Sequence, residues 1–189
     1  MWGEFVLERF YVSIAAVSEE PVPLLKENSK CFIDKLIPYR DRIVFVLGGY
    51  WGLMKYIADY ALDRGFTVVF VLPSNPPTMP PNTSNSIIIQ TDLGFQSRST
   101  IMCKTGNVLV AMGGRIGSLL EILLAYDYGK PVIVVESGYE TDKIPECFGE
   151  YIDVRKRAKI MLVENGCSAA EKVISIMKEL NKLRGEIYI

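Results

Sequence analysis

The sequence contains no histidine, and its four cysteines include no C-x-x-C pair. These absences exclude most zinc sites and every catalytic arrangement in which a histidine activates a serine or a cysteine. Cys31, Cys103, Cys147 and Cys167 are scattered along the chain. We therefore expect no metal site, and we expect reduced cysteines packed in the core of a cytoplasmic protein.

The sequence also lacks a strong charge imbalance and a long apolar run. Its formal net charge is −1, whereas nucleic-acid binding normally needs a basic stripe. We interpret the basic cluster at residues 155–159 as a solvated turn. The longest uncharged apolar stretch, residues 43–54, is too short to cross a bilayer, and the N-terminus does not resemble a signal peptide. We expect a cytoplasmic protein with neither nucleic acid nor membrane as a partner.

Apolar residues make up 49% of the 189 residues, enough to bury a substantial core. Strand-like runs lie at residues 10–17, 42–47, 66–72, 87–90, 107–112 and 131–135, with shorter candidates at 151–154 and 159–163. Helix-like segments lie at residues 22–39, 51–64, 95–104, 116–128 and 167–183. In the helix 116–128, Ile116, Leu119, Leu120 and Leu123 are expected to face the core. The alternation predicts a single-domain, Rossmann-like three-layer α/β fold over residues 1–189, with a mostly parallel sheet and helices on both faces.

A glycine pattern occurs at two predicted strand ends. The first turn contains Gly48, Gly49 and Gly52, and the second contains Gly113, Gly114 and Gly117. Glycine permits positive φ and a close approach of a ligand to the backbone, and the following helix offers unpaired N–H groups to an anion. The spacing matches neither the dinucleotide motif nor the P-loop. We predict a phosphate site at these turns, with the Ser118 hydroxyl as a further donor.

Two charged residues lie near the starts of predicted helices. Glu121 lies about one helical turn beyond residues 117–118, where its carboxylate can face the same ligand as the helix N-terminus. The alternative is an exposed residue that interacts favourably with the helix dipole. Arg98 lies near the start of another predicted helix and can bind a phosphate through two hydrogen bonds. The alternative for Arg98 is an ordinary surface arginine.

Three segments, in this order, resemble motifs of the LOG-like (Lonely Guy) family of the SLOG nucleotide-binding group. They are GGYWGLM at residues 48–54, GFQSRS at 94–99 and GGRIGSLLE at 113–121, and the resemblance extends over residues 10–137. The family was long labelled "lysine decarboxylase", but no lysine in this sequence is singled out for the Schiff base that such chemistry needs.

The resemblance implies a nucleoside 5′-monophosphate phosphoribohydrolase that releases a base and ribose 5-phosphate. Arg98 and Glu121 would be its catalytic pair, with no required cofactor and a nucleotide or phosphate as the bound ligand. It also implies a homodimer or a higher homo-oligomer. The residues implied in phosphate or nucleotide binding are Gly48, Gly49, Gly52, Met54, Gly113, Gly114, Arg115, Gly117 and Ser118.

The chain departs from the family pattern in both glycine turns. Arg115 replaces a glycine, Gly113 a proline and Ser118 a threonine, while Tyr50 and Trp51 stand where small residues are usual. Arg115 can add a phosphate contact or can fill the pocket. The alternative function is therefore a non-catalytic binding or carrier protein for a nucleotide or for the molybdenum (pterin) cofactor, as in a related branch of this fold. A third interpretation is a structural relative with a vestigial pocket.

Overall fold

The computed structural model describes residues 9–187, so the N-terminal segment on which we predict no signal peptide lies outside the described residues. The strands are β1 (Phe10–Ala16), β2 (Ile43–Leu47), β3 (Thr67–Leu72), β4 (Ser86–Gln90), β5 (Val108–Met112), β6 (Val132–Val135) and β7 (Ile160–Val163). The α-helices are α1 (Pro23–Leu36), α2 (Gly52–Asp63), α3 (Phe95–Thr105), α4 (Ile116–Asp127), α5 (Lys143–Phe148) and α6 (Gly166–Ile187). None of these helices is both long enough and apolar enough to cross a membrane.

The strands form one seven-stranded sheet in the order β4-β3-β2-β1-β5-β6-β7. All neighbouring strands are parallel, which confirms the predicted Rossmann-like α/β fold. From the central β1, the chain builds one half of the sheet through β2 to β4 and the other half through β5 to β7. In such sheets the reversal of strand order opens a crevice at the carboxyl ends of the two central strands. Here those ends are Ala16 of β1 and its partner Met112 of β5.

Apolar side chains fill both faces of the sheet, because the central strands are buried on both sides. On one face, the Phe45 ring packs between Phe32 of α1 and Phe66, with ring centroids 5.9 and 5.1 Å away. On the other face, Val46 and Val71 belong to a cluster with residues of α3 and α4. The two packed layers hold the N-termini of α2, α3 and α4 at the carboxyl end of the sheet.

The segment at residues 151–154 is a turn, so the strand predicted there is wrong. The Asp153 carboxylate accepts a hydrogen bond from the backbone N–H of Arg155 at 3.0 Å. Such a local bond from an aspartate competes with strand pairing. The strand predicted at 159–163 is confirmed as β7, and the sequence analysis did not anticipate α5.

Helix α4 packs through a different face from the one predicted. Ile116 and Leu123 are 80% and 41% exposed. The buried side chains of this helix are Ser118, Glu121, Ile122, Ala125 and Tyr126. Because α4 is apolar on most of its surface, periodicity alone does not identify the buried face; packing against α3 and β5 does. This packing leaves an apolar stripe on the outer side of α4, in which Ile116 and Leu123 are exposed and Leu119 and Leu120 are half-buried.

A disulfide joins Cys31 of α1 to Cys167 of α6, with the Cα atoms 5.1 Å apart. The expectation of reduced cysteines is therefore wrong for this pair. The two cysteines are 136 residues apart in the sequence, and the sequence pattern does not indicate that they are close in the fold. Cys103 is a free, buried thiol and Cys147 is free and exposed. Next to the disulfide, the Gly166 N–H donates to the side-chain oxygen of Asn28 at 3.1 Å. These contacts fix the start of α6 against α1.

Candidate functional site

A cavity of about 310 Å³ opens at the reversal of strand order, beside the carboxyl ends of β1 and β5. Four segments line it: the end of β1 with the loop that follows, and the starts of α2, α3 and α4. The lining residues are Ala16, Val17, Ser18, Glu19, Trp51, Met54, Phe95, Gln96, Arg98, Ser99, Gly114, Arg115, Ile116, Gly117, Ser118, Leu120 and Glu121. The fold thus brings Arg98 and Glu121 to one cavity, together with Met54 and most of the second glycine turn.

A buried ion pair forms part of the cavity wall. Arg98 Nη1 lies 3.0 Å from Glu121 Oε1, and the two side chains are only 6% and 10% exposed. The Ser99 hydroxyl donates to the same carboxylate oxygen at 2.8 Å. Arg98 Nε is buried and has no hydrogen-bond partner within the described part of the chain. An unsatisfied buried donor is unfavourable by about 1–3 kcal/mol.

Burial raises the pKa of the Glu121 carboxyl, while the charge of Arg98 and the hydrogen bonds from Ser99 and Arg98 act in the opposite direction. A carboxyl that is easier to protonate than a free glutamate can serve as a general acid or a general base. Behind it, the Cys103 thiol lies 3.5 Å from the backbone oxygen of Glu121. Burial strongly raises the pKa of this thiol. Cys103 therefore stays protonated and is poorly suited to act as a nucleophile.

The glycines of the first turn make room for protein groups. A Cβ on Gly48 would overlap the guanidinium of Arg98, and a Cβ on Gly49 would overlap the Trp51 ring. Gly52 has φ +53°, and its Cβ would overlap the backbone after β1. Of the described residues that line the cavity, none is a glycine of this turn, whereas Met54 lines it. The first turn thus seats Arg98 and Trp51 against the backbone.

The second turn contributes its own backbone to the cavity wall. Gly114 has φ +137°, and a Cβ there would overlap the Ser118 hydroxyl. The first helical bond of α4 runs from the Leu119 N–H to the Arg115 carbonyl at 2.9 Å. The preceding N–H groups have no partner inside the helix and carry its partial positive charge. Gly113 packs against Tyr139 and is not among the described residues that line the cavity.

Arg115 forms an ion pair with Glu19 at the cavity. Both nitrogens of the guanidinium fork contact the Glu19 carboxylate, the longer contact being 3.4 Å. The side chains of Arg115 and Glu19 are 63% and 50% exposed. Arg115 therefore lies at the solvent-facing edge of the cavity, next to the start of α4, and does not fill the interior.

An aromatic pair lines the same cavity. The Trp51 and Phe95 ring centroids are 6.0 Å apart, and their planes meet edge to face at 74°. These rings, and several other lining residues, are not among the predicted site residues. The others are residues 16–19, Gln96, Ser99, Ile116 and Leu120. Residues 16–19 could have been predicted to line the site, because they follow a predicted parallel strand and the carboxyl ends of parallel strands lie at one edge of the sheet. Nothing in the sequence marks Phe95 as a lining residue.

The model of the SLOG cluster 4 family matches residues 14–167. The chain belongs to the SLOG cluster 4 family. The predicted SLOG relationship is thereby confirmed at the level of the wider group, while membership of the LOG-like subfamily stays a prediction.

Several known proteins resemble this member of SLOG cluster 4. An uncharacterized protein of Archaeoglobus fulgidus is 32% identical over 109 residues, which are 54% of this chain and 70% of that protein. The X-ray structure of the protein TM1055 is 28% identical with a TM-score of 0.77, over 88% of this chain and 99% of the other.

Two further solved structures share the fold at lower identity. The molybdenum cofactor binding protein of Rippkaea orientalis is 20% identical with a TM-score of 0.72, over 89% of this chain and 98% of that one. The molybdenum cofactor carrier protein of Chlamydomonas reinhardtii is 20% identical with a TM-score of 0.71, over 90% and 99%. At this identity the similarity shows the fold alone.

Proposed function

We propose that this protein binds a phosphorylated small molecule of the nucleotide or nucleotide-like cofactor class in the 310 Å³ cavity. The observation that carries the proposal is the convergence of two kinds of donor on this cavity. One is the start of α4, with its unpaired N–H groups, the Ser118 hydroxyl and the adjacent Arg115. The other is the side chain of Arg98, which lines the cavity next to Glu121.

The charges of the cavity are suited to a phosphate that is part of a larger molecule, because the side chains supply little surplus positive charge to hold a free ion. Arg98 is already paired with Glu121, and Arg115 with Glu19, so the side chains supply little surplus positive charge. The starts of α3 and α4 supply fixed partial charges that favour a phosphate. Two proteins of the same fold are named as molybdenum cofactor binding or carrier proteins, which supports a binding or carrier role.

Calorimetry with inorganic phosphate, ribose 5-phosphate and a panel of nucleoside 5′-monophosphates tests this proposal. We expect saturable binding of the phosphorylated compounds, weakened several-fold by Ser118→Ala because one donor is lost. The matched control is Ser175→Ala, which removes an exposed hydroxyl of α6 that bonds to Glu179. Failure of every phosphorylated compound to bind would reject the proposal.

A second candidate function is hydrolysis of the N-glycosidic bond of a nucleoside 5′-monophosphate. The contact between Arg98 and Glu121 in the cavity wall favours it. Cleavage of the C1′–N bond builds positive charge on the sugar, which the Glu121 carboxylate would stabilise while it orients the attacking water. The water oxygen joins C1′, and its proton goes to the departing base. Arg98 would bind a ribose or phosphate oxygen, and no cofactor is required.

Release of free base and ribose 5-phosphate from the same monophosphate panel tests this activity. Glu121→Gln should retain ligand binding and lose turnover by at least about a hundred-fold, because the neutral amide no longer stabilises the positive charge that develops on the sugar. Glu20→Gln is the matched control, because Glu20 pairs with Lys26 instead of lining the cavity. Absence of base release from every monophosphate would reject hydrolysis and leave the binding proposal standing.

The homodimer implied by the family resemblance would use the apolar stripe on α4. The stripe joins the cavity at Ile116, which is 80% exposed, so a partner packed there would adjoin the ligand. We expect light scattering to give the mass of a dimer, and Leu123→Asp to give that of a monomer. A monomeric wild-type protein would reject this assembly. The cytoplasmic location stays a prediction.

A further inference from the structure

Three helices begin at the cavity, and a large apolar side chain at or just before the first residue of each helix lines it. Trp51 is the residue before α2, Phe95 is the first residue of α3, and Ile116 is the first residue of α4. Phe95 is 47% exposed and Ile116 is 80% exposed. Together the three side chains give the cavity an apolar side in addition to its charged residues.

We propose that Trp51, Phe95 and Ile116 form a subsite for the planar aromatic ring of the ligand whose phosphate lies at the start of α4. The inference rests on the proposed function and extends it, because it identifies the residues that hold the ring of the ligand. We call these three residues the apolar rim. The ligand joins a phosphate to a flat heterocycle through a spacer short enough for both ends to fit one cavity.

The Trp51 ring is held in place before any ligand arrives. It packs on the backbone of Gly49, where the missing Cβ leaves room for it. The Phe95 ring meets it edge to face at 6.0 Å. A ring that is already fixed loses little conformational freedom on binding. Aromatic faces attract nucleobases and other flat heterocycles by stacking, with little regard to the identity of the ring.

The size of the cavity restricts the ligand further. About 310 Å³ is at the lower end of the range of about 300–1,000 Å³ for small-molecule sites. This space suits one ring, one short spacer and one phosphate group, as in a mononucleotide. A long alkyl chain is a poor fit, because Arg98, Glu121 and the start of α4 line part of the same cavity.

The test compares two ligands that differ only in the ring. Calorimetry measures the dissociation constants of a purine nucleoside 5′-monophosphate and of ribose 5-phosphate, in the Glu121→Gln background if the wild type turns the nucleotide over. We expect the nucleotide to bind about ten-fold more tightly than ribose 5-phosphate, as one stacked ring contributes. Phe95→Leu and Trp51→Leu should reduce this ratio towards one and leave ribose 5-phosphate binding unchanged.

Phe148→Leu is the matched control, because Phe148 is 50% exposed on α5 and does not line the cavity. Tryptophan fluorescence gives a second measurement that does not depend on a rim variant folding correctly. In a Trp2→Phe background, Trp51 is the single tryptophan. The nucleotide should quench its emission, and ribose 5-phosphate should not.

The outcomes separate this inference from the proposed function. Equal affinity for both ligands, with no quenching, would overturn the apolar rim and leave the phosphate site intact. Failure of both ligands to bind would reject the proposed function as well. If Phe95→Leu changes the molar mass of the protein in solution and not the affinity ratio, the rim is a protein interface and the inference is wrong. Comparison with a pyrimidine monophosphate shows whether the rim prefers a fused ring.

Discussion

Replacement of Glu19 by glutamine is expected to tighten the binding of phosphorylated ligands. In the free protein, the Arg115 guanidinium contacts the Glu19 carboxylate through both of its terminal nitrogens. A phosphate that binds Arg115 must displace this carboxylate, and the negative charge of Glu19 then remains beside the bound anion. Glutamine removes the charge and keeps nearly the same shape, so the phosphate meets a weaker competitor.

The exposure of the pair limits the size of this effect. The Arg115 and Glu19 side chains are 63% and 50% exposed, and solvent-exposed ion pairs contribute at most about 1 kcal/mol. An energy of that size corresponds to a factor of about five in affinity. We therefore expect Glu19→Gln to lower the dissociation constant by about two- to five-fold at low ionic strength. The gain should shrink as salt screens the charges.

Calorimetric titration of ribose 5-phosphate at low and high salt measures this effect. Glu20→Gln is the control, since Glu20 pairs with Lys26 at 2.7 Å and is not among the cavity-lining residues. Arg115→Gln should weaken binding under the same conditions. The competition argument is refuted if Glu19→Gln leaves affinity unchanged, or weakens it, while Arg115→Gln weakens it. Glu19 would then have no influence on the anion or would contact the ligand itself.

Three further predictions concern stability, measured by urea unfolding or melting. Gly48→Ala should destabilise the protein by about 1–3 kcal/mol, because the added Cβ overlaps a buried guanidinium. Gly117→Ala is the control, because its Cβ meets no atom within 4 Å and alanine favours the helix, so no loss of stability is expected; equal losses would contradict this. Burial raises the pKa of Glu121. The stability that the protonated Glu121 carboxyl contributes is therefore fully present below the ordinary carboxyl pKa, and it is lost as the pH rises through the raised pKa. Between these two pKa values the wild type should lose stability relative to Glu121→Gln, and a stability difference that does not change with pH would argue against the raised pKa. Loss of the Cys31–Cys167 disulfide through Cys31→Ser should remove about 2–4 kcal/mol, whereas identical melting in oxidising and reducing buffers would show that the bond contributes nothing.

The sequence was informative wherever local chemistry decided the outcome. Buried strands such as β2 and β5 are continuous apolar runs, and the glycines after them end each run. Alternation of these strands with helices leads to a parallel sheet, and parallel strands bring their carboxyl ends to one edge. Arg98 and Glu121 could therefore be predicted to lie near one site, although they are 23 positions apart.

Other features could not be predicted, because they depend on which surfaces meet in three dimensions. Helix α4 has apolar residues on nearly every side, so only packing against α3 and β5 selects Glu121 for the interior and leaves Ile116 outside. The glycines of the first turn look like a ligand cradle in the sequence, yet Gly48 and Gly49 accommodate Arg98 and Trp51. Which side chain fills the space above a glycine depends on a distant segment, and the local pattern contains no such information.

By itself, the sequence determined the α/β architecture, the end of the sheet at which the cavity lies and the two charged residues beside that end. Periodicity and turn chemistry act over a few residues, and they suffice for these features. Only the tertiary structure decided that Arg98 pairs with Glu121, that Arg115 pairs with Glu19, and that Cys31 reaches Cys167. Each of these contacts joins segments that are far apart in the chain, so each depends on how the helices pack on the completed sheet.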